Sequence, residues 1–386
     1  MSKKVLHFVR KKSQLRASFI KNQISNHKVY SPSVVYKFDR YKGIDGGFAE
    51  FDYTDLEEIN LANYETIWSK FLYKVFKRVS RKQAQLIIDY IVKQKIDVLH
   101  FHYGTDAGIY LPMLSKVKLP KVVSFYGYEC SGFPKRFLGY GKVFLQNRTF
   151  KHATKIFAMS EDMQKDLIEI GCPKEKLIVH YYGTDTKKFE TLHCYRDESI
   201  INFLIISGLA PQKGHVFLLK AFHKAHKRNP NIKLTIVGEG ETKPLIEGII
   251  SNLDMNSYVS LNPFVVYGSP EHKSYFANAD VFIHPSLTDT NGDKEGIPGA
   301  IIEAMAAGLP IISTNHAGIP YIIDNGKSGL LVDEWDEKSL IEAILKMASD
   351  AAVREEMGSL GQKYAIENLD LFNKEIELES IYQDIE

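Results

Sequence analysis

The chain is poor in several things, and each shortage removes a class of protein. It has three cysteines in 386 residues, Cys130, Cys172 and Cys194. They are odd in number and lack metal-ligand spacing, which excludes a disulfide scaffold and predicts reduced thiols in a cytosol. No apolar run reaches the roughly 18 residues needed to cross a bilayer, so a multi-span membrane protein is excluded. The basic start, MSKKVLHFVRKKSQLR, has no apolar stretch leading to a small-residue cleavage site, and no secretory signal is predicted. Short-period repeats and low-complexity tracts are lacking, which excludes a solenoid, a collagen-like rod and a disordered tail. What remains is ordinary for a globular chain: 44% hydrophobic and 25% charged residues. At roughly 150 residues per domain, the length predicts two domains.

The net charge of +2 conceals an asymmetry. Residues 1–190 carry 33 Lys/Arg against 19 Asp/Glu, and the remainder is acidic. Such a division suggests that the first half meets an anionic surface or polymer, unless the charge is merely unevenly spread. Short β-like runs occur in this half at 4–9, 97–102, 121–125, 155–160 and 177–181, with a helical stretch over 64–95. In the second half, runs at 202–207, 233–237, 280–283, 309–313 and 329–332 alternate with helical patterns at 214–228, 242–253, 271–278, 298–307 and 337–349. Strands alternating with helices predict parallel βα units. The reading is a first domain over 1–185, a polar linker over 186–199, a second domain over 200–358, and a helical tail over 359–386 that packs back on the first domain.

The most informative stretch is GDKEGIPGAIIEAM, Gly292–Met305. Pro298 suits the first turn of a helix, where its missing N–H costs nothing. The unpaired N–H groups near 297–300 then form an anion site, and the stretch Gly296, Ile297, Pro298 and Gly299 with its small residues admits a phosphate. Glu295 in the loop and Glu303 on the helix bracket that position. A glutamate between Ile-Ile and Ala-Met is an awkward solvated residue.

Glu295 and Glu303, separated by seven residues that include Gly296 and Pro298, resemble the signature of the retaining glycosyltransferases of family 4. The similarity continues through EAMAAGLPIISTNHAGIPYIIDNGKSGLLV (Glu303–Val332), LIISGLAPQKGH (Leu204–His215), IVGEGE (Ile236–Glu241), ADVFIHPS (Ala279–Ser286) and Phe157–Phe189. It is strong over 155–350 and weak over 1–130. The GDxEGxP loop and RASF near the N-terminus are most similar to transferases of exopolysaccharide and colanic-acid type. The resemblance implies an α/β architecture of the GT-B kind, two Rossmann-like doubly wound domains facing across a cleft. It implies a nucleoside diphosphate sugar as donor substrate, a glycan or lipid-linked acceptor, no cofactor and no metal. It assigns Glu303 to the nucleotide ribose, Glu295 to the donor sugar, and Lys213, followed by Gly214, to the diphosphate. Read alone, Lys213 is more readily a surface lysine at a helix start, and Gly214 with the downstream motif turns the reading towards the diphosphate.

The sequence departs from the family at three places. Gly208 stands where an arginine usually forms half of the cationic clamp, and Arg16 is the candidate replacement. Tyr126-Gly127-Tyr128-Glu129 replaces His-Gly-x-Asp, so Tyr126 is a candidate on the acceptor or donor-sugar side. The loop Val9–Phe19 lacks the usual glycines. His102 is a further candidate, set against the alternative of a satisfied strand-end histidine. The spacing of Asp289, Asn291 and Asp293 fails an EF-hand.

Residues 68–82 and 133–151 mix aromatics with cations. Each is either a helix burying its aromatics or a segment lying on an anionic bilayer. The basic half favours the latter, placing the protein in the cytoplasm at the inner face of the cell membrane. No nucleic-acid module is present. A nucleotide-sugar epimerase or hydrolase, and a non-catalytic partner of another transferase, are the alternatives.

Overall fold

The computed structural model describes residues 3–39, 56–136, 138–190, 192, 199–290 and 292–386; the side chains of Arg16 and Ser18 also lie outside the described set. The chain divides into two units, Met1–Gly183 with Leu371–Glu386, and Thr184–Asp370.

The first unit is built on seven parallel strands: β1 (Lys3–Lys11), β2 (Tyr30–Phe38), β3 (Glu57–Asn60), β4 (Val98–His102), β5 (Lys121–Ser124), β6 (Lys155–Ala158) and β7 (Leu177–Val179). Their order is β3-β2-β1-β4-β5-β6-β7. The central strands are covered on both faces, which is why Val5–Val9 and Val98–His102 are buried without alternation. The register sets His7 beside His100 and Phe8 beside Phe101. The second unit has six strands: β8 (Ile201–Ile206), β9 (Ile232–Val237), β10 (Val259–Asn262), β11 (Val281–His284), β12 (Ile311–Thr314) and β13 (Gly329–Val332). Their order, β10-β9-β8-β11-β12-β13, is the doubly wound pattern that reverses at its first strand. Phe203, Ile205, Leu218, Phe222, Ile236, Ile312 and Ile344 form part of its core.

Three strands escape the sequence reading. β2 contains Pro32, which argues against a strand but sits near its start, and β3 is a polar edge. β10 is short and has only its first residue buried. The helical stretch over 64–95 is two helices, Ile67–Phe76 and Arg81–Gln94. Lys77 ends the first in the left-handed region, and Ser80 opens the second by accepting the N–H of Gln83.

The final helix, Leu371–Ile385, belongs to the first unit. Its Glu379 accepts the backbone N–H groups of Lys28, Val29 and Tyr30 at 2.8–3.0 Å, satisfying the entry to β2. Half of the segment read as a linker, with Cys194, lies outside the described residues. Phe189 is fully buried in the second unit against Phe276 and His272. Among the described residues, no helix is long and apolar enough to cross a membrane.

Candidate active site

The carboxyl ends of β8, β11 and β12 carry the loops that bring the predicted residues together. After β8 the chain makes a short turn, Pro211–Lys213, and enters helix His215–Arg228 through Gly214. Gly214 has φ +72°, and a Cβ there would stand 1.9 Å from the carbonyl oxygen of Pro285. This close approach seats Lys213 against the loop that follows β11. Lys213 Nζ lies 2.6 Å from Glu295 Oε1. Ser286 Oγ donates to Glu295 Oε2 at 3.2 Å, and His284 Nε2 stands 3.7 Å from the same oxygen. Burial alone would raise the pKa of Glu295, but the Lys213 ammonium and His284 overcome it and hold the carboxyl down to about 2. Glu295 is therefore an anion at neutral pH, buried and paired.

The backbone of that loop is fastened from below. The N–H of Glu295 donates to His316 Nε2 at 3.2 Å. That fixes the proton on His316 Nδ1, which donates to Glu334 Oε1 at 2.6 Å. Glu334 also accepts the N–H and hydroxyl of Thr288. Asp293 N–H donates to Asp289 Oδ1, closing a tight turn whose Asn291 lies outside the described residues. Gly296 accepts the N–H of Gly318, and Ile297 is buried. His316 and Glu334 went unmarked in the sequence because their partners lie 18 to 46 positions away.

The helix spans Gly299–Ala306. Pro298 is its N-cap, in extended conformation, rather than a residue of its first turn. It makes no side-chain cap, so the opening N–H groups have no side-chain acceptor from that position. Glu303 is 7% exposed, one turn into the helix. Its Oε1 lies 3.8 Å from where a Cβ on Gly299 would stand, so the carboxyl leans back over the helix start. His272 accepts the N–H of Gly268 at Nδ1, and its Nε2 stands 3.7 Å from Glu303 Oε2. Burial, only partly offset by Lys188, pushes Glu303 up to about 8, and burial holds His272 down to about 4. The two glutamates thus differ sharply: one is charged, the other mostly protonated at neutral pH.

The position of Gly208 opens onto space, with only Glu239 O at 4.0 Å from a hypothetical Cβ. Arg16 ends the short helix Lys12–Arg16, and its side chain lies outside the described residues. In the first unit, Tyr126 Oη meets His102 Nδ1 at 2.7 Å. His102 is fully buried and engages its other nitrogen with His7. Glu129 is buried, accepts the N–H groups of Gly104 and Tyr126, and is pushed up to about 7 by burial. Most of the large apolar residues of helix Ile67–Phe76 are not core: Ile67 is 90% and Trp68 63% exposed, and Phe71, Val75 and Phe76 are exposed too, whereas Tyr73 is half-buried against Phe38. Leu138, Tyr140 and Val143 are likewise exposed. Arg148 donates to the carbonyls of Phe76 and Lys77, tying this second segment to the end of the first.

Two family profiles match the chain: "Glycosyltransferase Family 4" over residues 53–188 and "Glycosyl transferases group 1" over residues 201–350. The chain is 30% identical over 260 residues to the amylovoran biosynthesis glycosyltransferase AmsK of Erwinia amylovora, covering 67% of this chain and 62% of that protein. It is 28% identical over 278 residues to the putative colanic acid biosynthesis glycosyltransferase WcaL of Escherichia coli, covering 69% and 66%. The match thus spans a little under two thirds of these relatives' length. Among solved structures, a glycosyltransferase of Rickettsia africae superposes with TM-score 0.77 at 18% identity over 100% of this chain and 98% of that one. Anabaena HepE in complex with UDP and glucose also gives 0.77, at 16% identity over 99% and 100%. With two parallel, doubly wound Rossmann-like units of the GT-B kind and profile matches in both, the chain belongs to the glycosyltransferases of family 4.

Proposed function

We propose that the protein transfers a sugar from a nucleoside diphosphate sugar to a glycan or lipid-linked acceptor in exopolysaccharide or capsule synthesis, with retention at the anomeric carbon. The observation that carries this reading is the pairing of Lys213 with Glu295 at 2.6 Å on the loop leading into helix Gly299–Ala306, with Glu303 leaning over that helix's start. The relatives' roles in amylovoran and colanic acid synthesis, and the UDP and glucose bound to HepE, support the substrate class.

In this proposal the diphosphate docks on the N–H groups at the helix start, drawing Lys213 from Glu295. Glu295 then orients the donor sugar through its hydroxyls. Glu303 accepts the two ribose hydroxyls, and Arg16 supplements the cationic side. The bond from the anomeric carbon to the phosphate oxygen breaks, and the acceptor oxygen bonds to that carbon from the same face. The acceptor proton passes to the departing phosphate. Lys213 and the helix start stabilise the developing charge, so no divalent metal is assigned to this step. Tyr126 is placed on the acceptor or donor-sugar side, with His102 acting through it.

The acceptor's lipid would bring the enzyme to the inner face of the membrane. The exposed Ile67, Trp68, Phe71, Val75 and Phe76 and the exposed Leu138, Tyr140 and Val143 support that placement, with Lys70, Lys74, Arg78, Lys135 and Lys142 close to them in the chain. The test is a binding screen of UDP, GDP and ADP sugars, followed by turnover of the best binder with and without a lipid-linked saccharide. Transfer that needs acceptor supports the proposal. Release of free sugar or an epimer at full rate without acceptor would replace transfer by hydrolysis or epimerisation.

A further inference from the structure

The first unit holds a group of histidines that the transfer chemistry does not use. β1 and β4 are parallel neighbours, with His7 in register with His100. Side chains two apart on a strand share a face, so His102 joins His100 on one side of the sheet. All three are fully buried, and one ring nitrogen from each lies within 4.8 Å of the others. His7 Nδ1 and His102 Nε2 are 3.0 Å apart.

The outward nitrogens are already engaged. His7 Nε2 meets His27 Nε2 at 3.0 Å, and His27 Nδ1 stands 2.6 Å from Glu375 Oε1. His102 Nδ1 meets Tyr126 Oη at 2.7 Å. His100 has Tyr382 Oη at 2.5 Å on Nδ1 and Ser124 Oγ at 2.7 Å on Nε2, so turning either nitrogen inward leaves the other held. Imidazoles that ligate a metal characteristically have their other nitrogen fixed by a carboxylate, hydroxyl or second imidazole.

We propose that His7, His100 and His102 form a buried three-imidazole site for a divalent transition metal of the zinc class, with His27, Tyr126 and one hydroxyl of the Tyr382–Ser124 pair orienting the ligands. Nitrogen atoms on one tetrahedral zinc ion sit ~3.3 Å apart, given bonds of about 2.0–2.1 Å. The 3.0 Å separation of His7 and His102 needs only a slight opening to accept an ion. The carboxyl groups of Glu375 and Glu379 stand 2.6 and 3.6 Å from His27 Nδ1, behind the proposed ligands. An all-imidazole set suits zinc, cobalt, nickel or copper and not magnesium or calcium. The site lies wholly within the first unit, whereas Lys213, Glu295 and Glu303 belong to the second, so it is structural and separate from the metal-free transfer proposed above.

The test uses the full chain, stripped by chelator and gel-filtered, then titrated with Co2+ and, separately, Zn2+. The expected result is one tightly held equivalent, visible absorption bands of low-coordinate cobalt, and a thermal midpoint raised by zinc. His7→Ala and His102→Ala should each abolish the bands. His27→Gln keeps the ligands but removes the outer support, and should weaken affinity about 10-fold or more while retaining the stoichiometry. If the wild-type chain binds no ion after gel filtration, or binds one that His7→Ala and His102→Ala leave unchanged, the imidazoles are satisfied by hydrogen bonds alone and the proposal fails. Should either alanine variant fail to fold, the wild-type cobalt spectrum decides.

Discussion

At the scale of single residues, the contrast between Glu295 and Glu303 is the most consequential feature. Glu303 is a carboxyl whose folded form holds its proton to about pH 8. Ribose hydroxyls that donate to it favour the charged form, so nucleotide binding should release a proton. Apparent affinity should therefore strengthen about 10-fold per pH unit below pH 8 and level off above it, as read by titration calorimetry in buffers of different ionisation heat. Stability runs the other way. Between about pH 4.5 and 8 the folded state binds a proton the unfolded state lacks, so Glu303 lowers stability as pH rises through that window. Glu303→Gln should accordingly melt roughly 5 °C higher than wild type at pH 8 without nucleotide, lose that advantage at pH 5, and weaken nucleotide binding about 10-fold or more. Glu295 has the opposite sign: its contribution is present above about pH 4.5 and lost as pH falls towards 2. Lys213→Ala leaves that carboxylate buried without its ammonium, with only Ser286 and His284 beside it. It should cost about 2 kcal/mol in a denaturant melt, below the value for a fully buried pair because the Lys213 side chain is 24% exposed.

Individual elements explain how those side chains are held and how far the sequence disclosed them. The Glu295–Glu303 spacing and Lys213-Gly214 were legible because each is local: a loop, a helix start and a turn. The supports were not. His316 reads as one histidine in a polar turn, and only the fold shows its two nitrogens gripping Glu295 N and Glu334. His272 and the lean of Glu303 towards Gly299 are equally invisible without coordinates. β2 and β3 were hidden by Pro32 and by glutamates at an edge, whereas the apolar run Ile201–Ile206 declares a central strand. Gly214→Ala should displace Lys213, since the added methyl meets the Pro285 carbonyl. Turnover should fall at least as far as in Lys213→Ala, with nucleoside binding through Glu303 retained. His316→Ala should free the Glu295 loop, lowering kcat with little change in nucleotide affinity.

For the whole molecule, length and the alternation of strand and helix patterns foretold two α/β units, and the strand orders report those two units directly. The segment alone left open whether Trp68, Phe71 and Phe76 of helix Ile67–Phe76 face outward, because an amphipathic helix written with Trp, Phe and Lys reads alike in a core or on a bilayer, and only the basic charge of the half tipped the choice. The exposed Trp68 and Phe71, stacked at 5.3 Å, now give that choice a physical basis. Vesicles containing anionic lipid should bind the protein at low salt and release it as ionic strength rises. Trp68→Ser with Phe71→Ser should weaken binding about 10-fold while leaving nucleotide affinity unchanged. Equal binding to neutral vesicles, or no effect of the double substitution, would remove the membrane from the account.

The central claim is that a diphosphate docks at the start of helix Gly299–Ala306 between two carboxyl groups of unlike charge. A crystal structure of the full chain with a nucleoside diphosphate tests it most directly. The account predicts phosphate oxygens within hydrogen-bond reach of the Gly299 or Ala300 N–H and of Lys213 Nζ, with both ribose hydroxyls on Glu303. Phosphates bound elsewhere, with the Lys213–Glu295 pair intact and Glu303 untouched, would contradict it.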